Sequence, residues 1–328
     1  MPAEWEKHEA TWLAWPHQKA DWPGKFAAIP YVFVEIIKHI TNGERCRLVV
    51  KDAAAKKQAT QFLKNAHINL DKVDFFTIPT NRGWMRDAGP IYVKDKAGKK
   101  AMTNWKFNGW AKYANHKLDN KIPEEINKTQ KLPIFSPNYV LEGGAIDVNG
   151  KGTLIATEEC LLSKIQERNK GMTRAEYEKM FHDYLGVDSV IWLGEGIAGD
   201  DTHGHVDDIT RFANAKTIVT AVEQNRKDVN YAKLQKNLKI LKATKFDIVE
   251  IPMPKPIIYE GLRLPASYAN FLITNKNVIV PTFNDANDRI ALNILAEVFK
   301  GREVVGVHAV DLVWGLGTIH CLTQQEPA

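Results

Sequence analysis

Ala145-Ile146-Asp147-Val148, Asn149-Gly150-Lys151-Gly152, Thr153-Leu154-Ile155-Ala156: two short apolar runs flank a polar turn that contains Asn-Gly. Asn-Gly between apolar runs signals a hairpin, because the favoured two-residue turn needs positive φ at both central positions. The pattern recurs. Ile91-Tyr92-Val93 is followed after a turn by the apolar stretch 101–107, residues 209–212 by Asn214-Ala215-Lys216 and 217–222, and residues 270–274 by Asn275-Lys276-Asn277 and 278–281. Helical spacing of apolar residues follows the later hairpins over 160–169, 229–241 and 285–300, with Asp285 and Asp288 suited to a helix N-terminus. Short apolar strands then follow at 189–192, 246–249 and 303–307. The repeating unit is therefore strand, strand, helix, strand, of about sixty residues on ordinary lengths for such pieces.

Four such hairpins are visible, and a fifth requires both ends of the chain. Residues 318–323 and 11–15 each read as a strand. Pairing them would close an α/β ring of five ββαβ units with no free sheet edge, a single domain over residues 1–328. An open α/β sheet with incidental hairpins is the alternative reading.

Composition narrows the class. The 328 residues are 44% hydrophobic and 25% charged, enough for a large core. Lys+Arg 44 against Asp+Glu 39 gives a formal charge of +5, spread along the chain and without basic-aromatic clusters, which argues against nucleic acid as a partner. The start, Met1-Pro2-Ala3-Glu4-Trp5, has no basic and apolar leader pattern, and no stretch reaches membrane-spanning length. Three scattered cysteines make no disulfide framework. A reduced cytoplasmic protein is expected, with no membrane association.

Polar clusters sit at or just before the first strand of each hairpin: Trp84-Met85-Arg86-Asp87-Ala88-Gly89-Pro90, Leu141-Glu142-Gly143-Gly144, the run from Gly199 to Asp208, and Gly315-Leu316-Gly317-Thr318-Ile319-His320-Cys321. Charge among glycines and apolar strands is costly unless it is used, and in a ring these equivalent positions converge on one cavity. Cys321 alone among the cysteines stands in such a cluster; Cys46 and Cys160 read as packing residues. His203, His205 and Asp207 alternate as on one face of a strand, so a zinc hydrolase competes with a cysteine enzyme at this point. Two observations count against it: no second histidine motif completes the site, and the acidic and cysteine clusters would go unused. Arg86 is either an anion clamp or an internal ion-pair partner of Asp87. On a strand, His320 would point away from Cys321, and Asp208 away from Asp207.

Together these motifs resemble the agmatine deiminase family, which includes the bacterial-type peptidylarginine deiminases. The matching pieces also include His8 to Pro16, Ile146-Asp147 and Ile319 to Gln325. The resemblance implies the five-bladed α/β propeller of guanidino-modifying enzymes, a guanidino substrate, and no metal or cofactor. It implies that Asp87 and Asp207 grip the guanidinium, that Cys321 attacks its carbon, and that His205 moves protons with support from Glu142. Agmatine is the expected substrate. Free arginine or peptidylarginine is the alternative, and a silent guanidine-binding module the reading from another class. Two departures from the family pattern lie near the expected mouth: Arg82 where many relatives are acidic, and a glycine-poor loop at Leu316. Trp84, Asp201, Arg86, Tyr268, Asn270 and Gly317 are the candidates for the rest of the substrate. A homodimer is compatible with the resemblance.

Overall fold

A computed structural model describes all of residues 1–328. Four three-stranded sheets share one topology, an antiparallel pair followed by a parallel third strand. They are Ile91–Lys94, Lys100–Thr103 and Ile134–Phe135; Asp147–Val148, Thr153–Thr157 and Ser189–Leu193; Thr210–Phe212, Thr217–Val222 and Asp247–Pro252; and Leu272–Ile273, Asn277–Thr282 and Glu303–His308. A four-stranded sheet joins the chain ends: Thr323–Pro327 pairs antiparallel with His8–Ala14, which continues in parallel to Arg45–Val50 and Val73–Thr77. The hairpin Ile258–Tyr259 with Leu262–Arg263 stands apart.

The parallel step in each sheet needs a crossover, and helices supply it. These are Ile122–Gln130, Arg174–Leu185, Val229–Lys242 and Ala286–Val298, with Ile29–Gly43 and Ala53–Asn65 in the terminal sheet. Middle strands are covered by neighbours on both edges and are almost wholly buried, Thr153–Thr157 without exception, which accounts for their unbroken apolar reading. At the Asn149-Gly150 turn, Asn149 Oδ1 accepts from the N–H groups of Lys151 and Thr153, while Gly150 takes a φ of 64°. Asp285 and Asp288 form the reciprocal cap of the last long helix.

Three sequence expectations need correction. The helix expected at 160–169 stops at Leu161; the helix of that unit is Arg174–Leu185, capped by Thr173 and Glu176. The segment between is irregular because Arg168 turns inward to Glu142 and also bonds the carbonyls of Gln166 and Thr202. The strand expected over 318–323 begins only at Thr323, and Ile319–Leu322 is a single helical turn. Asn270 makes that turn, its Oδ1 accepting from Thr318 Oγ1 at 2.7 Å and His320 N at 3.0 Å. Residues 203–207 are no strand either. Asp200 gathers the N–H groups of Thr202, Gly204 and His205, which bends His203 and Gly204 into left-handed backbone, and Val206–Asp208 forms a tight helical turn.

The polar clusters do lie where the hairpins begin. Met85–Ala88, Gly143–Ala145, Val206–Asp208 and Ile319–Leu322 each form one turn of helix just before a first or terminal strand. Contacts join the first of these turns to the second and the last, and the second to the third. No helix is long and apolar enough to cross a membrane.

Candidate active site

These four turns deliver five reactive side chains to a common cavity or its floor. Cys321 comes from Ile319–Leu322, Asp87 from Met85–Ala88, and Glu142 precedes Gly143–Ala145. His205 and Asp207 belong to the turn at Val206–Asp208. Backbone must approach closely here. A Cβ on Gly144 would stand 2.5 Å from His205 Nδ1 and 2.9 Å from Asp87 Oδ1, so only glycine fits.

The five groups meet. His205 Nδ1 lies 3.8 Å from Asp87 Oδ1 and 4.0 Å from Asp207 Oδ1, and Nε2 lies 3.7 Å from Glu142 Oε2. All these side chains are buried, and neither His205 nitrogen has a hydrogen-bond partner within the protein, nor has Asp207 Oδ1. Cys321 Sγ is 3.7 Å from Asp207 Oδ2 and 3.0 Å from Asn270 Nδ2.

Charge in this setting is set by burial against neighbours. Burial opposes ionisation of Glu142, but Arg168, with Nε 3.0 and 3.2 Å from the two carboxylate oxygens, and His205 outweigh it and hold the carboxyl at about 2. Burial also opposes charging His205, yet Asp87, Cys160 and Glu142 raise it well above the usual imidazole range. Asp87 is pushed up to about 6 by burial, against the pull of His205. Asp207 stays low despite burial because His320 bonds it, whereas burial and Asp207 raise Asp208 well above the carboxylate range. Burial, then Asp207, Asp208 and Asp87, push the Cys321 thiol up. These shifts favour an imidazolium among carboxylates and a thiol at Cys321.

A cavity of about 180 Å³ opens above Cys321 and Asp87, lined by Trp84, Trp110, Tyr113, Asp21, Arg82, Asp201 and Gly317 among others. A larger groove of about 610 Å³ lies between the helices Ile29–Gly43 and Ala53–Asn65, but no carboxylate or cysteine lines it, so the chemistry belongs to the smaller space. At the mouth, Asp21 accepts from Arg82 Nη1 at 2.7 Å and Trp84 Nε1 at 3.0 Å, while Asp201 pairs with Lys112 and accepts from Tyr113 Oη at 2.6 Å.

The expected substrate contacts divide. Trp84, Asp201 and Gly317 line the cavity; Tyr268, Arg86 and Asn270 do not. Tyr268 is core, packing on Phe283 and donating to Asp288 Oδ1. Arg86 is internal, but its neighbours are Gln325 Oε1 at 2.7 Å, His320 O at 3.3 Å and Glu4 Oε2 at 3.8 Å rather than Asp87. Asn270 lies beneath Cys321 and not at the mouth. Asp208 faces the same site, accepting from Asn270 Nδ2 at 2.9 Å, and His320 bonds Asp207, so neither points away as a strand would require. His203 turns to Ser163 Oγ at 3.2 Å, which takes it out of any ligand set with His205 and Asp207.

Several residues of the site escaped the sequence reading. Arg168 stands behind Glu142, and the Cys160 sulfur lies within 4.8 Å of ligand atoms of both Glu142 and His205. Trp110 donates from Nε1 to Asp87 Oδ2 at 2.8 Å, from an unusual backbone: both Trp110 and Ala111 have positive φ, after an Asn108-Gly109 turn. That dipeptide was the available signal, since strained backbone gathers at functional sites.

A family model for the Porphyromonas-type peptidyl-arginine deiminases matches residues 1–327. The chain belongs to that family. It is similar to an agmatine deiminase of Pseudomonas aeruginosa (strain LESB58), 35% identical over 360 residues that cover 100% of this chain and 95% of the relative. Among solved structures, C. jejuni agmatine deiminase with substrate bound superposes with a TM-score of 0.92 at 31% identity, covering 100% of this chain and 96% of that one. The Enterococcus faecalis agmatine deiminase has a TM-score of 0.92 at 30% identity, with 100% and 95% covered. The family member described here has the α/β fold of those enzymes.

Proposed function

We propose that this chain is a cysteine hydrolase that converts agmatine and water to N-carbamoylputrescine and ammonia. The observation that carries it is the buried grouping around Asp207: Cys321 Sγ lies beside its Oδ2, while its unpartnered Oδ1 and Asp87 Oδ1 both face His205 Nδ1. A planar guanidinium satisfies two carboxylates at once and neutralises a pocket that is too acidic when empty. The names of the relatives support agmatine.

In this reading the bound cation lowers the Cys321 thiol, whose proton leaves to solvent. The thiolate forms a C–S bond to the guanidinium carbon and yields a neutral tetrahedral adduct. His205, charged beforehand, gives its proton to one nitrogen; that C–N bond breaks, and ammonia leaves behind an S-alkylthiouronium. Neutral His205 then takes a proton from water as the hydroxyl adds to the carbon. Collapse breaks the C–S bond, returns the thiolate and releases the ureido product with loss of one proton. Glu142, held by Arg168, keeps the imidazole charged between turnovers.

The wider architecture belongs to the same proposal: one domain over 1–328, its five sheets arranged as a propeller closed by the pairing of Thr323–Pro327 with His8–Ala14. The closing contact joins Trp12 Nε1 to Glu326 Oε2 at 2.9 Å. With a small diffusible substrate, the cytoplasm is the proposed site of action. Purified protein given agmatine, free arginine and an arginine-containing peptide in parallel should release ammonia fastest, by kcat/KM, from agmatine. Preference for arginine or the peptide would reassign the substrate, and no ammonia from any of them would contradict the reading.

A further inference from the structure

His320 stands between two buried carboxylates. Its Nδ1 lies 2.7 Å from Asp207 Oδ2 and its Nε2 2.8 Å from Glu4 Oε2. Glu4 is fixed in turn: Arg211 Nη2 reaches the same Oε2 at 2.6 Å, and Ile273 N donates to Oε1 at 2.7 Å. The His320 backbone is tethered too, its N–H donating to Asn270 Oδ1 and its carbonyl accepting from Arg86 Nε at 3.3 Å. Ionised carboxylates only accept, so a ring nitrogen that bonds one of them is the donor. The line of contacts begins in the N-terminal segment and ends on Asp207, whose Oδ2 it occupies. Oδ1 is left without a partner and directed toward His205.

We propose that His320 is the positioning residue of Asp207, with Glu4 holding His320 in place. The inference rests on the reading of the cavity as a guanidine pocket. The bond to Oδ2 fixes the rotation of the carboxylate, so that Oδ1 is presented to the guanidinium. Without it, the carboxylate is free to rotate, and neither oxygen is held at the place where the guanidinium meets it. One imidazole also separates two like charges, Asp207 and Glu4, that would otherwise repel across a buried gap. The N-terminal residues are by this account part of the active-site assembly.

The test measures affinity for a simple alkylguanidine, which lacks a distal group, in the Cys321→Ser background. His320→Gln should weaken binding by about tenfold to a hundredfold, the usual loss of a hydrogen bond to a charged group. In an Asp207→Asn background the same change should cost less than about threefold, because it acts through Asp207. With Cys321 present, His320→Gln should raise KM more than it lowers kcat, since the grip is shared by bound substrate and adduct. Equal losses in both backgrounds, or unchanged affinity, would overturn the proposal. Should His320→Gln fail to fold, Glu4→Gln leaves the imidazole in place and should show the same dependence on Asp207; additive or absent effects there would overturn it equally. A parent protein that binds no alkylguanidine overturns the pocket reading along with this one, whereas a binding parent with indifferent variants overturns this one alone.

Discussion

Asn270 holds Cys321 from below: its Nδ2 is 3.0 Å from Sγ, while its Oδ1 anchors the turn that carries the cysteine through Thr318 and His320. The amide thus positions the sulfur and offers a donor to an atom whose neighbours are Asp207, Asp208 and Asp87. Asn270→Ala should therefore lower kcat by about a hundredfold, through a lost charge-assisted bond and a loosened turn. Alkylation of Cys321 by iodoacetamide should slow in parallel. Equal alkylation rates in parent and variant would remove Asn270 from the chemistry.

Asp87 and Asp207 are proposed to bind the guanidinium directly. Asp87→Asn and Asp207→Asn should each reduce kcat/KM by on the order of a thousandfold. Near-parent activity in both would place the substrate elsewhere.

Asp208 gives a sharper contrast. Burial and the neighbouring Asp207 raise its carboxyl well above the usual range, which favours the protonated form beside Asn270. An amide mimics a protonated carboxyl. Asp208→Asn should stay within about fivefold of the parent kcat, whereas Asp208→Ala leaves the Asn270 donor short of an acceptor and should cost about 1–3 kcal/mol of stability. Steady-state rates and thermal melts of the two variants check this, and a drastic loss in Asp208→Asn would mean that Asp208 acts as an anion.

Much of this arrangement was legible in the sequence, for a specific reason. Asp87, Glu142, His205, Asp207 and Cys321 stand in clusters at or just before a strand in a repeating unit, so periodicity brought those clusters to equivalent places, while the family resemblance singled out the individual residues. Arg168, Trp110, Asp21 and Glu4 come from loops and the N-terminal segment, whose paths depend on contacts far away in sequence. Asp208 and His320 were misjudged because a strand was assumed where the chain makes one turn of helix, and alternation then assigned the wrong face. Tyr268 is an aromatic near the last hairpin whose hydroxyl serves a helix cap, a role that only tertiary packing discloses.

Stability should peak in mild acid. Burial raises Asp21, Asp87 and Asp119 to about 6. Their folded forms bind protons that the unfolded chain has released, so the stability they add is full below the ordinary carboxylate value and is lost as pH rises through about 6. His205, raised well above its usual range, works in the same direction. Glu142, held at about 2, contributes above its ordinary value and loses that contribution as pH falls toward 2. The free protein should melt highest at about pH 4, on the combination of these shifts. A melting temperature that climbs steadily from pH 5 to 8 would contradict these assignments.

The central claim is that Cys321 becomes covalently bonded to the guanidinium carbon. Acid quenching during turnover of agmatine, followed by intact-mass and peptide mass analysis, tests it most directly. An adduct equal to agmatine less ammonia should appear, confined to the peptide bearing Cys321 and missing in Cys321→Ser, while Cys46→Ser still forms it. Rapid turnover with no adduct on Cys321 at any quench time, or turnover that survives Cys321→Ser, would contradict it.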